Sequence, residues 1–129
     1  SKLDYISNHE VIEEKFSLDT LIEEFINNQN NKFLLVNTER YVFDWLKYSL
    51  TKTQMRNVFD LIKNCTCVEE LKMTKPRLMY TAGRLSGSGK YFLLDLSKQV
   101  TKIENEKQME AMKRFIETVL AYHKYHANN

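Results

Sequence analysis

Three glycines and one proline are the only strong chain-breakers in these 129 residues, and their scarcity bounds the fold. A many-stranded sheet needs turns at close intervals, and turns draw on those two residues. Leu, Glu, Lys and Met are plentiful instead, which favours helices joined by short polar connections. The expectation is an all-α, compact helical bundle of about five to seven helices. It forms a single domain over residues 1–129, long enough to bury roughly two-thirds of its unfolded surface.

Apolar spacing places the helices. Ser7 and Glu10 have capping-box spacing, so a short helix is predicted from near Asn8. Behind Ser17, Leu18, Leu21, Ile22, Phe25 and Ile26 share one helical face, and the run Asn27–Asn31 ends it as a solvated loop. Phe33–Val36 reads as a short strand or an apolar lead-in. Asn37 is then a candidate cap for a helix carrying Tyr41, Val42, Trp45 and Leu46. The clearest helix carries Met55, Val58, Phe59 and Ile62, with Thr51 or Thr53 as its cap. Leu71, Leu78, Met79, Ala82 and Leu85 predict a fourth. It begins at Thr74–Pro76, or is kinked at Pro76 if it starts near Val68. Gly83 marks either the end of that helix or a close approach. Phe92, Leu93, Leu96 and Val100 give a short helix. A long last helix runs from about Asn105 to Tyr125 with a wide apolar face.

Charge is distributed unevenly. Residues 1–48 carry five Lys/Arg against nine Asp/Glu, whereas residues 49–129 carry fourteen against eight. A cationic half of this density can follow a phosphate backbone by releasing its counterions. On the helix holding Met55, the cations Lys52, Arg56 and Lys63 fall within about 40° of one another. They form a basic stripe beside the apolar one. Arg77 and Arg84, seven apart, share a face with Tyr80 close to the same line.

Catalytic constellations are not evident. Glu13-Glu14, Glu23-Glu24 and Glu69-Glu70 are adjacent pairs that splay around a helix and read as solvated faces. His123 and His126 read as surface or interface residues, and His9 as exposed or part of a cap. No arginine precedes the late histidines at the spacing of a helical Arg-x4–6-His ribonuclease. Cys65 and Cys67 are too close for an ordinary disulfide framework and lack further zinc ligands nearby, so reduced thiols are expected. Ser86–Lys90 is the one flexible-looking stretch. It fails as a phosphate loop, because Arg84 and Tyr91 stand where a Walker motif needs Gly and Ser/Thr. Its Ser-Gly-Ser-Gly is also linker chemistry, so a replaced loop is an alternative. No metal or cofactor is expected. No apolar run reaches a membrane span and no signal peptide opens the chain, so a soluble cytoplasmic protein is expected.

Three basic-aromatic segments stand out as a set: Thr53-Gln54-Met55-Arg56-Asn57, Tyr80-Thr81-Ala82-Gly83-Arg84 and Ala121-Tyr122-His123-Lys124-Tyr125-His126. Their order and spacing over residues 50 to 126 resemble the small subunit of type III-A CRISPR effector complexes, the second Csm subunit. The closing Tyr125-His126 departs from that family's Tyr-Tyr, and the first 49 residues, acidic and divergent, match no recognised pattern. The resemblance implies a subunit without an active site, stacked in several copies along the duplex of guide (CRISPR) RNA and target RNA. Its implied neighbours are the backbone subunits, the large nuclease–cyclase subunit and copies of itself. Arg56, Arg84 and Lys124 match the family's basic positions. Gln54 stands where the family has Lys or Gln, so a weaker contact is expected there.

The candidate RNA-binding residues are therefore Lys52, Gln54, Arg56, Lys63, Arg77, Arg84 and Lys124. The competing reading of Arg56 and Arg84 is a carboxylate pairing inside the bundle, which the planar guanidinium makes well. The competing function is a helical adaptor that binds protein and no RNA.

Overall fold

The computed structural model describes residues 18–27 and 32–128, and among them the chain is all α. The helix expected near Asn8, the first carboxylate pair, His9 and most of the Asn27–Asn31 run lie outside the described residues. The elements are α1 (Leu18–Asn27), α2 (Leu34–Tyr41), a π-helical turn (Val42–Leu46), α3 (Lys52–Lys63), α4 (Val68–Lys72), α5 (Lys75–Gly83), α6 (Gly87–Val100) and α7 (Glu106–His126).

The last helix organises the rest. α7 packs against α1, α2, the π turn, α3 and α4, while α5 packs on α6. Met109, Met112, Phe115, Ile116 and Val119 of α7 are all buried. Phe25 of α1 meets Phe115 edge-on with ring centroids 5.5 Å apart. Asn105 caps α7, its side chain accepting from the Gln108 amide at 2.8 Å. α1 is also tied to α6, where the buried Gln99 donates to Asp19 at 3.1 Å.

Several local expectations are corrected. Phe33–Val36 is neither strand nor lead-in, because α2 begins at Leu34 and Asn37 lies buried within it. Asn37 therefore caps nothing; its amide donates to the Phe33 carbonyl in the first helical turn. The helix then widens, with the Lys47 amide reaching Val42 at 3.0 Å in an i→i+5 bond. Val42 and Leu46 stay in the core, but Trp45 is 56% exposed. The helix start expected at Thr74–Pro76 is found, with Thr74 before α5 and Pro76 in its first turn. Leu71 belongs instead to a separate short helix, α4, and no kinked helix runs from Val68 through Pro76. Met79 is exposed because it sits about 100° around the helix from Leu78. Gly83 ends α5 and a Cβ there would meet nothing.

The Ser86–Lys90 stretch is not a spacer. Gly87, at φ +68°, opens α6, and Gly89 is buried within its first turn. A Cβ at Gly89 would lie 2.7 Å from the Ser49 carbonyl oxygen and 3.2 Å from the Leu50 side chain. Only glycine lets α6 approach the turn before α3 this closely.

That same turn receives His123. The late histidines are not at the surface: His123 is fully buried and His126 nearly so. His123 Nε2–H donates to the Leu50 carbonyl at 2.9 Å, and His126 Nε2 lies 2.8 Å from a Glu39 carboxylate oxygen. Their position on the inner face of α7 makes them ties between its last turns and the α2–α3 region. Burial holds His123 below the usual histidine range and the Lys52 charge adds to this, while the Leu50 and Leu46 carbonyls oppose it.

Two measurements check this packing. Gly89→Ala should destabilise by about 1–3 kcal/mol through overpacking, whereas Gly83→Ala should be neutral or stabilising by up to about 1 kcal/mol. Equal urea midpoints for the two variants would contradict the close approach. The second concerns acid. Because the folded state holds His123 neutral, below about pH 6.5 the unfolded chain takes up a proton that the folded chain refuses. Stability is thus fully present above that pH and falls as pH drops through it. His123→Gln should show a shallower decline between pH 7.5 and 5.5 by urea denaturation.

Candidate nucleic-acid interface

The basic residues are arranged about α3. A capping box fixes where that helix starts: Thr51 Oγ1 accepts from the Gln54 amide at 3.0 Å, and Gln54 Oε1 accepts from the Thr51 amide at 2.9 Å. Met55, Val58, Phe59 and Ile62 then bury the inner face against α7. With the rotation set by cap and core, Lys52, Arg56 and Lys63 must project outward, and all three are exposed.

Lys52 and Arg56 meet Lys124 of α7 around a pocket of about 260 Å³, which Thr53, Asn57, Leu120 and His123 complete. Three candidate cations from two distant segments thus share one depression. Arg56 Nε lies 3.4 Å from Asp60 Oδ1, with both side chains more than half exposed. Its guanidinium also stands 5.6 Å from the Phe59 ring centroid. The ion pair lies at the surface, so Arg56 is not committed to a pairing inside the bundle.

On the other flank of α3, a groove of about 790 Å³ separates it from α5. Gln54 and Asn57 of α3, with Asn64 at its C-cap, line it together with Arg77 and Tyr80 of α5 and Arg84 at that helix's C-cap. Arg84 is exposed at the end of α5, its guanidinium 5.8 Å from the Tyr80 ring centroid. Among the described residues, no carboxylate lies within ion-pair distance of Arg84 or Arg77. The buried pairing weighed for Arg84 does not occur. Gln54 has a structural duty as well, since its side-chain carbonyl oxygen closes the capping box.

Lys63 stands apart from the other cations. It shares a depression of about 260 Å³ with Glu110, Lys113, Arg114 and Glu117, and its ammonium lies 5.3 Å from the Phe59 ring centroid. Seven residues along the helix from Arg56 is about 10 Å of rise. The expected single stripe is therefore divided by what α7 places beside it.

Sequence reasoning overlooked Asn57 and Asn64 as groove residues. Their i, i+7 spacing puts them on one face of α3 and was the available signal. Among the described residues, no group of three or more His, Cys, Asp or Glu could hold a metal ion. Cys65 and Cys67 are free, and burial pushes the Cys65 thiol up. No helix among the described residues is long and apolar enough to cross a membrane.

Because the pocket cations are exposed and the one ion pair among them is solvated, their removal should leave the fold intact. Lys52→Ala, Arg56→Ala and Lys124→Ala should each shift stability by less than about 1 kcal/mol. Thermal denaturation of the three variants checks this, and a larger loss would show that the cation holds the bundle together.

The family model for Csm2 Type III-A matches residues 29–129. It begins well before Thr53 and takes in all three basic-aromatic segments, with α2 and the π turn ahead of them. No curated protein and no solved structure matches the chain. The match covers most of the chain, and the all-helical fold agrees with it. This chain belongs to the Csm2 family of type III-A CRISPR effector small subunits, and with that family it has a place in a Csm complex beside other Csm subunits.

Proposed function

We propose that this protein is a non-catalytic subunit that lies along the guide–target RNA duplex and holds RNA phosphates with the helix faces on either side of α3. The observation that carries this reading is the convergence of Lys52, Arg56 and Lys124 on one pocket. Arg77 and Arg84 extend the cationic surface across α3. Long cations on rigid helices, with amide and aromatic groups beside them, suit backbone contacts that ignore sequence. Specificity then comes from pairing with the guide. Neighbouring copies would meet head to tail, a heterologous contact that does not close on itself, alongside the backbone subunits and the large nuclease–cyclase subunit.

Exposed Trp45 on the π turn and Tyr48 just after it favour protein contacts. They support a second reading, an adaptor that docks other subunits and never touches RNA. Salt separates the two. Phosphate contacts predict RNA affinity that falls steeply with ionic strength, whereas an adaptor binds negligible RNA at moderate salt.

Lys52→Ala combined with Arg56→Ala should weaken binding to single-stranded RNA and flatten the log–log salt dependence by about 1.4. Fluorescence anisotropy over a salt series, on the chain in its purified assembly, measures both. An unchanged affinity and slope would remove the pocket from the RNA path.

A further inference from the structure

We propose that the groove between α3 and α5 receives one unpaired nucleobase of the bound RNA, stacked on Tyr80 and hydrogen-bonded by the Asn57 and Asn64 side-chain amides. This rests on the RNA reading above and assigns the groove a task separate from phosphate binding.

The groove's composition points there. Tyr80 is 69% exposed although Leu78 and Ala82, on either side of it in α5, are buried. Arg84 stands by the same ring, so a cation and an aromatic surface adjoin at the rim. Across from them, Asn57 of α3 and Asn64 at its C-cap lie seven residues apart, both exposed. Among the described residues neither side-chain amide has a hydrogen-bond partner, so each offers a donor and an acceptor. Asp60 is the one carboxylate lining the groove, and it pairs with Arg56.

A phosphate uses cations and donors, and it has no use for an aromatic face or an amide carbonyl. A nucleobase uses both, presenting a π surface and an edge of mixed donors and acceptors. In a duplex that edge is spent on the partner strand, so the occupant is a base splayed out of pairing. The groove, about 790 Å³, is much larger than one base and leaves room for its sugar and flanking phosphates. Arg77 and Arg84 would hold the phosphates flanking that nucleotide. An acidic protein segment would satisfy the two arginines, yet it would leave the amides and the ring with less to do.

The test uses the purified assembly and an RNA carrying a single 4-thiouridine, either unpaired or opposite a complementary base. After irradiation, adducts are mapped to peptides. The expected result is an adduct on the peptides holding Tyr80 or Asn57 from the unpaired probe alone. It should fall at least about five-fold in Tyr80→Ala and persist in Tyr80→Phe, which keeps the stacking surface. Adducts on other peptides, with RNA still bound, would overturn the base site and leave the phosphate reading standing. An assembly that binds no RNA would overturn both. If Tyr80→Ala instead released a protein subunit while RNA stayed bound, the groove would be a protein dock and the proposal would fail.

Discussion

The fold depends on keeping the far end of α7 inside the bundle. A 21-residue helix at the end of the described chain would fray unless its last turns were held, since terminal helical turns lack part of their hydrogen bonding. Here His123 reaches the Leu50 carbonyl and His126 reaches Glu39, and both rings are buried. The first bond also fixes the turn that precedes α3. Leu50 and Ser49, in turn, are where Gly89 lets α6 close in. One short stretch, Ser49–Thr51, therefore sets the position of α7, α6 and α3 together. Anything that loosens it moves the helix on which the candidate cations stand.

Much of this was legible in the sequence where periodicity was strong. α1, α3 and α7 follow from apolar residues at helical spacing, and Thr51 with Gln54 closes a capping box at one of the two predicted caps. Reading failed where tertiary packing overrode local chemistry. Asn37 looks like a cap, but the hydrophobic run before it begins the helix earlier and buries it. Ser-Gly-Ser-Gly looks like a linker, yet Gly89 is small because a backbone carbonyl lies against it. The histidines look like surface or interface residues because no further metal ligands are spaced to join them. Only the fold shows that they fall on the inner face of α7. Trp45 was misplaced for a different reason, a π turn that no propensity announces.

The candidate site was legible in its cations and opaque in its grouping. Spacing on α3 predicts that Lys52, Arg56 and Lys63 share a stripe, and on an isolated helix they would. What divides them is α7, which brings Lys124 beside the first two and Glu110 and Glu117 beside the third. Periodicity describes one helix, whereas a site is made by two. The same limit hid the α3–α5 groove, because its two walls are separated in sequence by α4 and its flanking turns.

The Arg56–Asp60 pair bears on how such a surface can hold RNA. At 3.4 Å and well solvated, it contributes little to stability, within about 1 kcal/mol for exposed pairs. It does hold the guanidinium along the helix beside Phe59 rather than leaving it to sweep through solvent. A phosphate entering the pocket competes with one carboxylate for one arginine, at a small cost that Lys52 and Lys124 can offset. Each copy would then make a few contacts, each screened by salt and none strong alone. Several copies on one RNA would convert later contacts into intramolecular ones, where effective concentration multiplies weak affinities. Modest individual binding is thus compatible with a stable assembly, and it suits the sequence-independent RNA contact proposed for this subunit.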